Sequence, residues 1–182
     1  MPGIREAKRG DCDAIGEVHV AAWRETYAGL LPGAVLAGLS ERGRADMWRR
    51  WFDAGDPDRL LLVAEDAGGL CAFAACRRLP PAEPLGTDAE VTAIYVLRRA
   101  QRRGTGRGLM ARLFAFMAAR GMASAGLWVL RDNHAARAFY RDLGGVEVAE
   151  RAEEAGGQRH VEVACVWRPV PLRRPGRPVR TR

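Results

Sequence analysis

The sequence is nearly without lysine and poor in serine. Lys8 is the one lysine among 182 residues, so a P-loop, whose lysine follows a glycine-rich stretch, is excluded. Ser40 and Ser124 are the only serines, and neither stands in the Gly-x-Ser-x-Gly pattern of a serine hydrolase. These two absences remove two common enzyme classes.

Patterns typical of metal sites are also missing. The four cysteines and three histidines contain no Cys-x-x-Cys pair and no zinc-ligand spacing, so we expect no metal ion. We interpret the cysteines as buried, reduced thiols. Cys71 and Cys76 are five residues apart on a predicted strand, which would place them on opposite faces of the sheet.

Long apolar segments are absent as well. No apolar run approaches the ~20 residues of a membrane-spanning helix, and the first residues contain no signal-peptide core. Apolar residues nevertheless make up 48% of the chain, enough for one sizeable core. The composition predicts one soluble, cytoplasmic domain over residues 1–167, without membrane contact.

The formal net charge of +7 is carried largely by the C-terminal residues. Residues 168–182 hold six arginines and no acid, which leaves residues 1–167 nearly neutral. We predict a basic, Pro/Arg-rich and flexible tail over 168–182. A nucleic-acid partner would bind through such arginines with a steep salt dependence, but the neutral body argues against one.

Hydrophobic patterning predicts an α/β (α+β) fold. The order of elements is β-α-α-β-β-β-α-β-α-β-β, which indicates a mixed central sheet of about six or seven strands flanked by about four helices. Helix starts are predicted at Asp11 or Asp13, after Ser40, near Gly106, and at Asp132 or Asn133. The predicted strands are 4–7, 60–65, 70–76, 90–96, 125–130, 146–150 and 160–167.

An Arg/Gly-rich segment, AQRRGTGRGLM (100–110), lies between the fourth predicted strand and a long amphipathic helix. Its glycines let backbone amides approach a ligand, and the helix adds free N–H groups and a positive dipole end. Such a place suits a diphosphate, although a plain glycine-rich turn with solvated arginines remains the alternative. A Rossmann fingerprint is excluded, because Leu109 stands where its third glycine would be. The arginines in the stretch are Arg98, Arg99, Arg102, Arg103 and Arg107.

Two ordered motifs carry a family resemblance. Residues 101–106 (QRRGTG) fit [QR]-x-x-G-x-[GA], and residues 128–144 fit W-V-L-x-x-N-x-x-A-x-x-F-Y-x-x-L-G. With these motifs the chain resembles the GNAT superfamily of acetyl-CoA-dependent N-acyltransferases, and a weaker likeness covers 18–32. It departs at Arg98, where the family often has proline, and at Gly145, where an aromatic residue commonly follows Leu-Gly.

The resemblance implies a site. Backbone groups near the end of the fourth strand would hold the pantetheine and the acetyl carbonyl and stabilise the oxyanion. Asn133 would bind the pantetheine, and the Arg/Gly loop would cradle the diphosphate. The implied strand residues are Ile94, Tyr95 and Val96, and the implied loop residues are Arg102, Arg103, Gly104, Thr105, Gly106 and Arg107.

Tyr140 is predicted to donate a hydrogen bond, or its proton, to the leaving sulfur. It follows Asn133 by seven residues, two helical turns, so both would lie on one helix face. The alternative is a core aromatic beside Phe139. Because Ala136, Phe139 and Leu143 already supply an apolar stripe, we expect Tyr140 to be free to face the ligand.

Glu90 is the candidate base for the acceptor amine. By the period of two it would share a strand face with Thr92, Ile94 and Val96. It stands eleven residues before Gln101, a spacing at which some family members have a catalytic glutamate. A water chain, with Glu90 as a solvated carboxylate, is the alternative.

The predicted activity is transfer of acetyl from acetyl-CoA, as co-substrate, to a primary amine in a ternary complex. A small molecule or a protein N-terminus would be the acceptor. The alternative is a non-catalytic acyl-CoA-binding module, and a homodimer is left open. Four aromatic residues would line an acceptor pocket or belong to the core: Trp23, Tyr27, Trp48 and Trp51.

Overall fold

The computed structural model describes residues 2–171, so most of the predicted basic tail, 172–182, lies outside the described residues. The described chain forms one seven-stranded sheet with five α-helices. The strands are β1 (Gly3–Glu6), β2 (Arg59–Asp66), β3 (Gly69–Arg78), β4 (Ala89–Val96), β5 (Ala125–Leu130), β6 (Val146–Ala155) and β7 (Gln158–Trp167). The helices are α1 (Cys12–Tyr27), α2 (Gly33–Ala37), α3 (Glu41–Asp53), α4 (Thr105–Ala119) and α5 (His134–Asp142).

The strand order in the sheet is β1-β2-β3-β4-β5-β7-β6. Every neighbouring pair is antiparallel except β4 and β5, which run parallel. The predicted mixed sheet is therefore confirmed. The short helix α2 is the one α-helix of the described chain that the hydrophobic pattern did not predict, because its five residues are too few to show a period.

Helices cover both faces of the sheet. Helix α4 packs on the first face through a fully buried apolar stripe, and helices α1 and α3 pack on the second face around Trp48 and Phe73. The α3 N-terminus forms as predicted, since the Ser40 hydroxyl accepts the Gly43 amide N–H at 3.1 Å. No helix within residues 2–171 is both long and apolar enough to cross a membrane. The α4 stripe consists of Leu109, Met110, Leu113, Phe114 and Met117.

A bulge in β3 changes the predicted position of a cysteine. Ala64 pairs with Ala72, whereas the next residue of β2 pairs with Leu70, so Cys71 is an extra residue in the ladder. Cys71 and Cys76 therefore both face the α4 side, and the predicted opposite orientation was wrong. The burial of the thiols is confirmed, since all four cysteines are free and buried, and burial raises the pKa of Cys76 to about 12.

The packed body continues beyond the predicted domain end at residue 167. Val170 is only 5% exposed, and its amide donates to the Ala123 carbonyl at 2.9 Å. The Arg168 guanidinium donates to the Gly86 carbonyl. Arg168 and Val170 therefore contact the packed body.

Candidate active site

The sheet opens into a wedge between β4 and β5. These parallel strands pair only at Ala89–Ala125 and Glu90–Gly126 within the described chain. Beyond these two pairs, β4 and β5 form no backbone hydrogen bonds with each other along their facing edges. Because backbone N–H and C=O groups inside a protein require hydrogen-bonding partners, the wedge offers a ligand two rows of such groups.

A cleft of about 760 Å³ fills this wedge and continues along the loop that precedes α4. This volume lies within the range of roughly 300–1,000 Å³ found for small-molecule sites. Every predicted site residue lines the cleft except Glu90 and the exposed Arg103. The chain contains three tyrosines, and all of them are cleft residues: Tyr27, Tyr95 and Tyr140.

The loop before α4 directs backbone amides into the cleft. Gly104 occupies the N-cap position with φ 81°. Glycine adopts this left-handed conformation without strain because it has no Cβ atom. The first backbone bond of the helix runs from the Gly108 amide to the Gly104 carbonyl at 2.9 Å. The amides of residues 105–107 consequently have no partner within the helix and remain available to an anion.

Side chains of the loop divide into anchors and free cations. The buried Thr105 hydroxyl donates to the Ala100 carbonyl at 3.1 Å, and the Gln101 amide donates to the Val96 carbonyl at 2.9 Å. Arg102 has φ 56°, which is uncommon for a residue with a side chain. Within the described residues, no ion pair involves the exposed loop arginines Arg102, Arg103 and Arg107.

Helix α5 supplies the opposite wall. Asn133 is its N-cap, since the side-chain oxygen accepts the Ala136 amide N–H at 3.2 Å, which leaves the side-chain NH₂ as a donor. Because Asn133 precedes the helix, the predicted spacing of two full helical turns to Tyr140 does not apply as stated. Both side chains nevertheless line the same cleft.

Tyr140 is more buried than the sequence predicted. It is 8% exposed, contacts Trp167 edge-on at a centroid distance of 6.0 Å, and belongs to the core as well as to the cleft wall. Phe139 and Leu143, which were expected to fill the core stripe, are only partly buried. Burial raises the pKa of the Tyr140 phenol above its usual value, so the hydroxyl stays protonated at neutral pH.

Glu90 lies on a different face from the one predicted. Ala75 of β3 pairs with Ala93, but the next residue of β3 pairs with Val91, so Thr92 is an extra residue in β4. This bulge places Glu90 on the face of Ala93, which α1 and α3 cover, and not on the face of Ile94 and Val96. The expectation of a shared face was therefore wrong.

The Glu90 carboxylate is engaged at the closed end of the wedge. It accepts a hydrogen bond from Arg77 Nε at 2.9 Å, and a second guanidinium nitrogen of the ion pair lies 2.8 Å away. It is absent from the cleft lining, which begins at the next residue, Val91. Glu90 therefore does not itself line the cleft.

The aromatic residues of the first third divide between the cleft and the core. Tyr27 lines the cleft, and its hydroxyl lies 3.3 Å from that of Tyr95. Trp23 stacks edge-on against Tyr27 at a centroid distance of 5.0 Å. Trp48, by contrast, is buried and donates to His19 Nδ1 at 3.1 Å, and burial lowers the pKa of His19 to about 3. Trp51 packs against Trp48.

One polar contact in the cleft is not predicted by any pattern in the sequence. The carboxylate of Glu25, near the end of α1, accepts the Arg98 backbone N–H at 2.7 Å, across 73 positions of the chain. Both residues line the cleft. No three His, Cys, Asp or Glu side chains converge as a metal site anywhere within residues 2–171.

Gly145, the other departure from the family motif, is closely packed against Cys165 and Trp167 of β7. A Cβ atom at Gly145 would stand 2.5 Å from Cys165 Sγ and 3.0 Å from Trp167 Cζ2. The Trp167 indole, which donates to the Leu143 carbonyl at 3.1 Å, thus occupies the space beside this glycine.

Comparisons with known proteins agree with this architecture. The model of the acetyltransferase (GNAT) family matches residues 10–144. A Bacillus subtilis (strain 168) protein named Uncharacterized N-acetyltransferase YuaI is 33% identical over 167 residues, which cover 92% of this chain and 93% of that protein.

Solved structures show the same fold at lower identity. The PaiA N-acetyltransferase of Thermoplasma acidophilum in complex with coenzyme A is 20% identical, with a TM-score of 0.68, over 90% of this chain and 98% of that one. YncA of Salmonella typhimurium with acetyl-CoA is also 20% identical, with a TM-score of 0.70, over 100% and 99% of the two chains. The family model and the Bacillus relative establish that this chain belongs to the GNAT family of acetyltransferases.

Proposed function

We propose that the protein transfers an acetyl group from acetyl-CoA to a primary amine by direct attack in a ternary complex. The observation that carries this proposal is the wedge between β4 and β5, which leads directly to the free amides at the α4 N-terminus. A pantetheine arm fits between the two strand edges, and a diphosphate fits the loop. The two structural neighbours were solved with CoA and with acetyl-CoA, which supports a cofactor of this class.

The β4 edge would hold and polarise the acetyl group. Ile94 and Val96 have backbone groups on the wedge side that can bond the pantetheine amides, whereas the backbone of Tyr95, which was also predicted for this role, pairs with Phe73 of β3. An N–H group among them can also stabilise the negative charge that develops on the acetyl oxygen. Arg102, Arg103 and Arg107 would neutralise the diphosphate, together with the amides of Gly104 to Arg107.

Helix α5 would serve the leaving group. The Asn133 NH₂ can donate to a pantetheine carbonyl, and the Tyr140 hydroxyl can donate to the departing sulfur. A thiol of this kind has a pKa near 8.5, so a protonated phenol is a suitable donor to the thiolate. Burial raises the pKa of Tyr140, which makes the phenol a weaker acid but keeps its hydroxyl protonated as a hydrogen-bond donor to the sulfur.

The acceptor amine must lose a proton before or during attack. Glu90 lies on the sheet face that also carries Tyr95, and we propose that it receives this proton through water. The amine itself would approach along the wall on the α1 side, where the Tyr27 and Tyr95 hydroxyls lie 3.3 Å apart.

The test measures free thiol release from acetyl-CoA with a panel of amines, beside calorimetry with CoA. Turnover with at least one amine is the expected result. Tight CoA binding without turnover of any amine would instead favour the acyl-CoA-binding module. Failure to bind CoA would contradict both functions.

A further inference from the structure

The turn that joins β4 to the diphosphate loop is fixed from two sides. On one side the Leu97 amide donates to the Cys71 carbonyl at 2.9 Å, and Arg99 pairs with Asp66 and donates to the Leu70 carbonyl. These contacts attach the turn to the β2–β3 hairpin.

On the other side, Glu25 of α1 makes the attachment. Its carboxylate accepts the Arg98 amide N–H at 2.7 Å, and its backbone carbonyl accepts from the Arg98 guanidinium at 3.3 Å. Two residues later on the same helix, the Tyr27 hydroxyl meets Tyr95 of β4. The last turn of α1 is thereby joined to the end of β4 at two points.

We infer that Glu25 is a positioning residue for the cofactor loop, an inference that rests on the proposed function. By holding the Arg98 amide, its carboxylate sets the direction in which the chain leaves β4 and thus where the amides of residues 105–107 point. The Arg98 N–H is a donor that a proline at this position would lack. The attachment is accordingly a property of this chain's own Glu25 and Arg98.

The first test compares Glu25→Ala with Glu25→Gln, using CoA as the calorimetric probe. Alanine removes the acceptor, and we expect the Kd for CoA to rise about tenfold, the scale of one hydrogen bond to a charged group. Glutamine retains a side-chain oxygen, so its Kd should stay within about threefold of the parent. Melting curves and circular dichroism verify that each variant is folded.

The second test removes the donor instead of the acceptor. Leu97 has φ −57° and ψ 143°, which a following proline accepts, so Arg98→Pro is sterically compatible with the turn. We expect Arg98→Pro to weaken CoA binding more than Arg98→Ala does, by about the factor that Glu25→Ala produces in the parent. Arg98→Ala keeps the amide and should weaken it less. In a double-mutant cycle, Glu25→Ala should add nothing in the Arg98→Pro background.

Several outcomes would overturn the inference. These are an unchanged Kd in Glu25→Ala, tighter binding in both Glu25 variants through loss of negative charge, or additive losses in the cycle. A fall in kcat with both Glu25 variants at an unchanged Kd would make Glu25 a catalytic group instead. If the parent itself does not bind CoA, the proposed function fails and not this inference alone.

Discussion

The two walls of the cleft present different chemical groups to a ligand. The β4 wall and the loop after it offer mainly backbone amides and carbonyls, whose positions depend on strand geometry, a bulge and a left-handed glycine. The α5 wall offers the side chains of Asn133 and Tyr140. Substitutions in the loop of the first wall should therefore act on binding, through backbone geometry, whereas substitution of Tyr140 in the second should act on the chemical step.

Tyr140→Phe is expected to have the largest effect on turnover. The change removes only the hydroxyl and keeps the ring that packs against Trp167. We expect kcat to fall roughly 10- to 10³-fold, about 1.4–4 kcal/mol of transition-state stabilisation, with CoA affinity nearly unchanged. Single-turnover kinetics with acetyl-CoA measure the chemical step. An unchanged rate there would leave Tyr140 as a core residue only.

Glu90→Gln distinguishes the hypothesis that Glu90 is the base from the hypothesis that a water chain alone removes the proton. If Glu90 receives the amine proton through water, kcat should fall about 10²-fold while CoA binding persists. The matched control is Glu65→Gln, since Glu65 also pairs with an arginine, Arg5, on a strand outside the cleft lining. Near-parental turnover in Glu90→Gln would assign proton removal to water alone.

The sequence predicted the parts of this site that depend on local pattern. The loop, the Asn133 cap and the Ser40 cap each follow from a few adjacent residues. Face assignments failed at Cys71 and at Glu90, in both cases because one extra residue in a strand reverses the period of two. The hydrophobic pattern alone does not show where a bulge lies, because the residues at the two bulges are of types that regular strands also contain.

Contacts between distant segments could not be predicted for a different reason. The bond between Glu25 and Arg98 depends on how α1 packs against the end of β4, and the space beside Gly145 depends on Trp167. A single sequence does not show which residues of two distant segments come into contact. The burial of Tyr140 could not be predicted for the same reason, because it depends on the contact with Trp167 of β7.

Gly104→Val tests whether the first wall works through its backbone. Valine at φ 81° is strained, at a cost of about 1–2 kcal/mol, and the strain would misdirect the amides after it. The matched control is Gly55→Val, since Gly55 has φ 59°, lies outside the cleft lining and has open space around a Cβ atom. Both variants should lose similar stability in denaturant unfolding.

Only Gly104→Val should also weaken CoA binding, with a rise of about tenfold in Kd. The reason is that the amides after Gly104 would bind the diphosphate, whereas those after Gly55 would not. Equal CoA affinity in the two variants would show that the loop backbone does not form the anion site.

Arg102→Ala should have the smallest effect. Its guanidinium is exposed, so its attraction for a diphosphate is weakened by solvent and salt, and a rise of about two- to fivefold in the KM for acetyl-CoA is expected at low ionic strength. Raising the salt concentration should shrink the difference between parent and variant, whereas loss of a backbone contact would persist in salt. The matched control is Arg112→Ala, an exposed arginine on α4 outside the cleft lining, which should leave KM unchanged at either salt concentration. A salt-independent loss in Arg102→Ala would mean that its left-handed backbone, and not its charge, contributes to the site.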